Sequence, residues 1–182
     1  EEAERALRAA GTRRRYNPPT SPRRGIAPIM RLLRFEENGR AVSAIRVDDH
    51  AVPLAALGLP DDTVAALAPE HRARLPQAAA SGVRRPLNGL KRLMPVARPG
   101  KVICIGLNYA LHAKEGGNPI PDYPAVFLRT QTSLTGPDTP MLRPRASRKL
   151  DYEAELAVVI GSTAHRVTEA EALNHVGGYT LF

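Results

Sequence analysis

Three acidic residues at alternate positions open the run LDYEAELAVVIG at residues 150–161. In an extended strand successive side chains take opposite faces. Asp151, Glu153 and Glu155 are therefore predicted on one side, and Tyr152, Ala154, Leu156, Val158 and Ile160 on the other. Like charges at i and i+2 repel, and a hard divalent cation with oxygen ligands would relieve that repulsion. The plainer reading is an acidic solvent face of an antiparallel sheet, and the pattern alone leaves it open.

A second constellation lies upstream in GLNYALHAKEGG, where an apolar strand ends at Gly106 and a helical turn follows. His112 and Glu115, three residues apart, then share one side of that turn. A carboxylate bonded to one imidazole nitrogen fixes the tautomer and makes the other nitrogen more basic, as a general base that activates water requires. An ordinary surface pair has the same spacing.

Taken together with the intervening PIPDYPAVFLRTQTSLTGP, these segments resemble the fumarylacetoacetate hydrolase family in order and spacing. Gly106, Asn108, Tyr109, His112 and Glu115 match its glycine, Asn-Tyr and His/Glu run, and Asp151, Glu153 and Glu155 match its D-x-E-x-E strand. The resemblance is weak from Met30 and strong from Lys101 to Phe182. It implies that Glu153 and Glu155 are two ligands of a divalent cation, Mg²⁺ first with Mn²⁺ or Ca²⁺ possible. The third ligand is expected to be an aspartate just past the GGYT segment, beyond Phe182, as is a lysine that contacts substrate. It also implies His112 as the base, Glu115 as the group that orients it, and Arg129 as a basic residue near the substrate.

The implied reaction is metal-dependent hydrolysis of a carbon–carbon bond in a small dicarbonyl acid, of fumarylacetoacetate or acylpyruvate type, in a catabolic role. Isomerisation or decarboxylation of a 2-hydroxy-dienoate at the same site is the first alternative. The second is a catalytically inactive truncated fragment, because the chain stops short of the third ligand.

These residues need elements to position them. From Met30 two short runs rich in Leu, Ile and Val flank Asn38-Gly39, a hairpin signal because both residues tolerate positive φ. The Ala/Leu-rich stretch to Leu75 is expected as short helical pieces cut by Pro60 and Pro69, with His50 and His71 at the surface. From Gln77 to Gly100 the residues turn to Ala, Ser, Gly, Pro and Arg, with Pro86, Pro95 and Pro99 predicted to interrupt any regular element. Residues 101–105, 125–128 and 150–161 read as strands, with Cys104 a small buried hydrophobe. Thr168 and Glu171 form a capping box for a short helix through about His175, which Gly177-Gly178 ends before a final extended run. His165 and His175 lack ligand partners at a metal spacing and read as structural.

The expected fold is thus α+β and mainly β. A basic, disordered extension at residues 1–29 precedes a small β-rich N-terminal domain with linker at 30–95, then the first part of a mixed β-roll catalytic domain at 96–182. The roll and its assembly as a homodimer follow from the resemblance. Met30 is the expected start.

Composition narrows the partners. The net charge is +8, but residues 1–29 hold seven Arg against three Glu, so 7 − 3 = +4 belongs to that stretch. The remaining charges are mixed and few aromatics accompany the arginines, so nucleic-acid binding is not expected. No apolar run approaches the roughly 20 residues of a membrane span, nor is there a secretory h-region, and a cytoplasmic location is expected. One cysteine allows no disulfide within the chain.

Overall fold

The computed structural model describes residues 29–182, so the extension expected at 1–29 lies outside the described residues except for Ile29. The described chain is mainly β. Strand β1 (Arg31–Glu37) turns at Asn38 and Gly39 into β2 (Arg40–Val47) with Glu37 opposite Arg40. Asn38 has φ 51° and Gly39 φ 75°, both in the left-handed region that a two-residue hairpin of this hand demands. The hairpin read from Asn-Gly is present. A second tight turn at Asp48 (φ 51°) leads to β3 (His50–Pro53), antiparallel to β2.

Three short helices follow, α1 (Thr63–Ala66), α2 (Pro69–Arg72) and α3 (Leu75–Ser81). Asp62 caps α1, its Oδ1 accepting from the Val64 and Ala65 amides at 2.9 Å each. The proline-rich stretch after Gln77 is more ordered than its residue types suggest. It contains most of α3 and two short strands, β4 (Arg85–Pro86) and β5 (Lys91–Leu93). Pro76 stands in the first turn of α3, where its missing N–H costs no bond, and β4 and β5 form the two edges of a sheet ordered β4-β3-β2-β1-β5. Edge strands are where proline is tolerated.

Both faces of this sheet are covered. Ile45, Leu54, Leu59, Ala66 and Leu75 pack on the helical side, while Phe35, Ala44 and Ala51 pack against Leu87 and Leu90 on the other. Adjacent residues Ala44 and Ile45 point to opposite faces and are both fully buried. Full burial of a Phe, Ile or Leu side chain contributes about 1.5–3 kcal/mol. His50 and His71, expected at the surface, are half-buried where β3 and α2 pack.

Beyond Gly100 the chain forms two antiparallel ribbons. β6 (Val102–Gly106) leads into α4 (Ala110–Glu115) and returns to pair with β7 (Ala125–Arg129). β8 (Leu156–Ile160) is followed by α5 (Glu169–Ala172) and pairs with β9 (Val176–Leu181). Thr168 precedes α5, and its hydroxyl donates to Glu171 Oε2 at 2.7 Å. The helix closes at Ala172 and continues as a 3-10 turn to His175.

The strand expected from residue 150 begins only at Leu156. Phe182 exchanges two backbone bonds with Glu155 (2.8 and 2.9 Å), and among the described residues no strand pairs with residues 151–154. The expected alternation does hold within β8, but the face carrying Leu156, Val158 and Ile160 is outward and exposed. Cys104, expected to be buried, is only partly covered in β6.

Candidate functional site

An open cleft of about 580 Å³ lies between α4 and the extended segment that precedes β8. Tyr109, His112 and Glu115 approach from the helix side, Asp151, Glu153 and Glu155 from the other. The two constellations read from the sequence thus meet in one place, although they are about 40 residues apart in the chain.

The turn that launches α4 is strained. Leu107, directly after Gly106, has φ 52°, a left-handed conformation that costs a bulky residue about 1–3 kcal/mol. That bend reverses the chain at the end of β6 and sets Tyr109 as the residue before the helix. The Tyr109 hydroxyl then accepts a bond from the Leu156 amide at 3.3 Å, tying the start of α4 to the start of β8. Sequence reasoning assigned no role to Leu107 or to this tyrosine hydroxyl. The Asn-Tyr pair marked the place, but nothing local signals a positive φ at a leucine.

His112 Nε2 stands 3.3 Å from Glu153 Oε1, both side chains about half exposed. The pairing expected from helical spacing was with Glu115. Among the described residues the carboxylate at 3.3 Å from His112 is that of Glu153, and Glu115 lines the same cleft one turn along α4. Glu155 is half-buried, its backbone locked to Phe182. Arg129 does not line the cleft. Its guanidinium sits 5.8 Å from the centroid of the Phe182 ring, a cation–π contact that joins β7 to the end of β9.

As donors, Glu153, Glu155 and Asp151 suit a hard divalent cation, since all three present carboxylate oxygens. Among the described residues no three His, Cys, Asp or Glu side chains converge closely enough to enclose one. Glu153 is turned toward His112, and the extended stretch at 151–154 has no ladder to align its carboxylates. The donor chemistry fits, while the cage is not assembled by these residues alone. Also among the described residues, no helix is long and apolar enough to cross a membrane.

Known proteins share both the sequence and the fold. Residues 101–182 match the family described as fumarylacetoacetate (FAA) hydrolase C-terminal. A fumarylacetoacetate hydrolase domain-containing protein 2 homolog of Dictyostelium discoideum is 45% identical over 98 residues, covering 54% of this chain and 32% of that protein. The mitochondrial oxaloacetate tautomerase fahd2 of Xenopus laevis is 40% identical over 94 residues, covering 52% of this chain and 30% of that one. Among solved structures, the fumarylacetoacetate hydrolase of Exiguobacterium antarcticum superposes with a TM-score of 0.64 at 30% identity, over 84% of this chain and 55% of that one. Maleylpyruvate hydrolase from Sphingobium sp. SYK-6 superposes with a TM-score of 0.67 at 26% identity, over 84% and 57%. That enzyme has also been solved with manganese(II) and pyruvate. The chain spans about a third of the length of these curated relatives and just over half of the solved ones. With the described residues folded like those hydrolases and residues 101–182 matched by the family model throughout, that part of the chain belongs to the fumarylacetoacetate hydrolase family.

Proposed function

We propose that this chain supplies the acid–base side of a metal-dependent hydrolase that cleaves a carbon–carbon bond of a small dicarbonyl acid. The observation that carries the reading is the 3.3 Å contact between His112 and Glu153 in a cleft that also holds Glu115, Asp151 and Glu155. An imidazole oriented by carboxylates is suited to take a proton from water beside a bound carbonyl and to return it to the leaving carbon. Glu153 cannot both hold His112 and ligate a cation through the same oxygen. With Glu153 given to a cation, Glu115 is the carboxylate left beside His112, one helical turn away.

In this reading Glu153 and Glu155 hold a divalent cation, Mg²⁺ or Mn²⁺, with a further oxygen ligand from outside these residues. When bound, it would supply positive charge to the oxygens of an enolate-like dicarbonyl. Tyr109 positions the acidic segment through the Leu156 amide. Arg129 would act on substrate only after leaving Phe182, and its present contact favours a role in joining β7 to β9. The assembly we propose for the complete enzyme is a homodimer.

A second reading is keto–enol tautomerisation at the same residues. The specific support is the 40% identity over 94 residues to an oxaloacetate tautomerase. Both reactions require a base next to a carbonyl, so His112 serves either.

The test assays the protein on acylpyruvates for hydrolysis and on oxaloacetate for enol formation, with and without Mg²⁺. His112→Asn is expected to lose on the order of 10²–10⁴-fold in kcat on whichever substrate turns over, with unchanged circular dichroism. Undiminished turnover by His112→Asn would remove the histidine from the reaction.

A further inference from the structure

A second cleft, of about 230 Å³, lies where α2 meets the β8–β9 ribbon. Arg72, Ser162, Asn174 and His175 line it, with Leu67 and Gly177 at its base. Gly161 and Gly177 meet there backbone to backbone: a Cβ built on Gly161 would stand 2.6 Å from Gly177 Cα, and one built on Gly177 would stand 2.9 Å from Gly161 Cα. Any other residue at either position would force the two strands apart.

The polar groups facing this cleft are chiefly donors. Arg72 Nη1 donates to the Val176 carbonyl at 3.2 Å, which holds the guanidinium at the rim while using one of its five N–H groups. Ser162 Oγ and His175 Nδ1 are 3.1 Å apart and partly buried. With the hydroxyl donating to Nδ1, the ring proton sits on Nε2. Asn174 adds an amide, and no carboxylate lines the cleft. The nearest acidic residue in sequence, Glu171, has its carboxylate engaged by the Thr168 hydroxyl. The cleft at His112 has the opposite character, with four acidic residues on its walls.

We propose that the Arg72–His175 cleft is a second binding site that takes a small oxyanion, a single carboxylate or phosphate group. The guanidinium offers a planar fork to two oxygens, and the Asn174 amide and, in this tautomer, the His175 Nε2–H are the further donors among the lining residues. The volume lies below the roughly 300–1,000 Å³ of sites for drug-sized ligands, so the occupant has few atoms beyond the charged group. Because Arg72 belongs to α2 and the other donors to the β8–β9 segment, a bound anion bridges the first sheet's helices to the second ribbon. The site does not depend on the reaction proposed at His112.

The test titrates the protein with inorganic phosphate and, separately, with acetate at constant ionic strength, following backbone and histidine-ring NMR signals. Saturable shifts are expected at Gly161, Ser162, His175 and Gly177 with a Kd on the order of 1 mM. Saturation by phosphate alone, acetate alone or both supports the site and names its chemistry. Arg72→Gln is expected to weaken binding at least about tenfold. Asn174→Ala leaves the Arg72 tie to Val176 intact and is expected to weaken it about threefold, which keeps the test decisive if Arg72→Gln folds poorly. Shifts that never saturate, that chloride reproduces, or that Asn174→Ala leaves unchanged would overturn the proposal.

Discussion

The strands of the two ribbons are richer in apolar residues than those of the first sheet, yet it is the first sheet that buries them. Among the described residues, every buried apolar side chain except Ala113 lies between Phe35 and Leu75. Every large apolar side chain that is exposed, apart from Ile29 and Val83, lies at Ile103 or beyond. The difference is one of layers. β1 to β5 have helices on one face and the Leu87–Leu90 turn on the other, while β6 to β9 are two-stranded pairs whose residues are exposed at alternate positions in β6 and β8 and throughout β7. A two-stranded ribbon cannot bury its own faces, so its stability rests on pairing and on whatever else packs there.

The sharpest way to break this comparison is to truncate one phenylalanine in each region. Phe35→Ala removes a fully buried ring and is expected to cost about 3–5 kcal/mol in a denaturant titration, whereas Phe127→Ala removes one that is 49% exposed and is expected to cost under about 1 kcal/mol. Equal losses would mean that the second region has a core of its own.

Gly177→Ala tests the joint between the regions. The new methyl would meet Gly161 Cα at 2.9 Å and Leu67 Cβ at 3.2 Å, and a loss of about 1–3 kcal/mol is expected, with faster amide exchange in β8 and β9 than in β1 and β2. Asp62→Ala acts within the first region alone. Losing both cap bonds is expected to cost about 1 kcal/mol and to leave ribbon amide exchange unchanged.

The smallest effect belongs to Glu171. The Thr168 hydroxyl beside it, then the Thr168 backbone, hold its carboxyl below the ordinary range against a minor opposing effect of desolvation. A folded-state pKa below the unfolded one stabilises the fold above the unfolded value, and that contribution fades as pH falls through the folded value. Carboxyl NMR titration should show Glu171 returning toward an ordinary pKa in Thr168→Ala, with little change in melting at pH 7.

What could be read in the sequence was what a few neighbouring residues decide. Asn38-Gly39 specified a turn because its positive φ angles are a property of those two residues. Thr168 and Glu171 do meet at the helix start, but the Thr168 hydroxyl donates to the Glu171 carboxylate and does not accept from a helix N–H as the expected capping box requires, and the α-helix ends at Ala172. Strand length was less legible, because a strand lasts only as long as its partner. Asp151 to Ala154 alternate as a strand should, but among the described residues no strand pairs with them. In the proline-rich stretch after Gln77, Pro95 and Pro99 do fall outside any element, while Pro86 misled, since it sits in an edge strand where proline does no harm.

At the candidate site, the residue types were legible and their partners were not. His112 and Glu153 could be singled out separately, but their pairing depends on how a strained turn at Leu107 and the Tyr109 hydroxyl bring α4 to β8. No local pattern encodes that approach. Arg129 shows the same limit, its guanidinium drawn to an aromatic ring at the far end of another strand.

The placement of the core also has a consequence in time. A ribosome delivers the chain from its N-terminal side, and the side chains that close the first sheet's two clusters, Phe35 to Leu90, are all made before β6 begins. At roughly 5–20 residues per second, the stretch from there to Leu181 takes several more seconds to appear, long compared with the milliseconds-to-seconds folding of small β-containing units. The first sheet can therefore stand as a finished surface while the acidic segment and its ribbon are still being synthesised, so that the later strands meet a template rather than a coil.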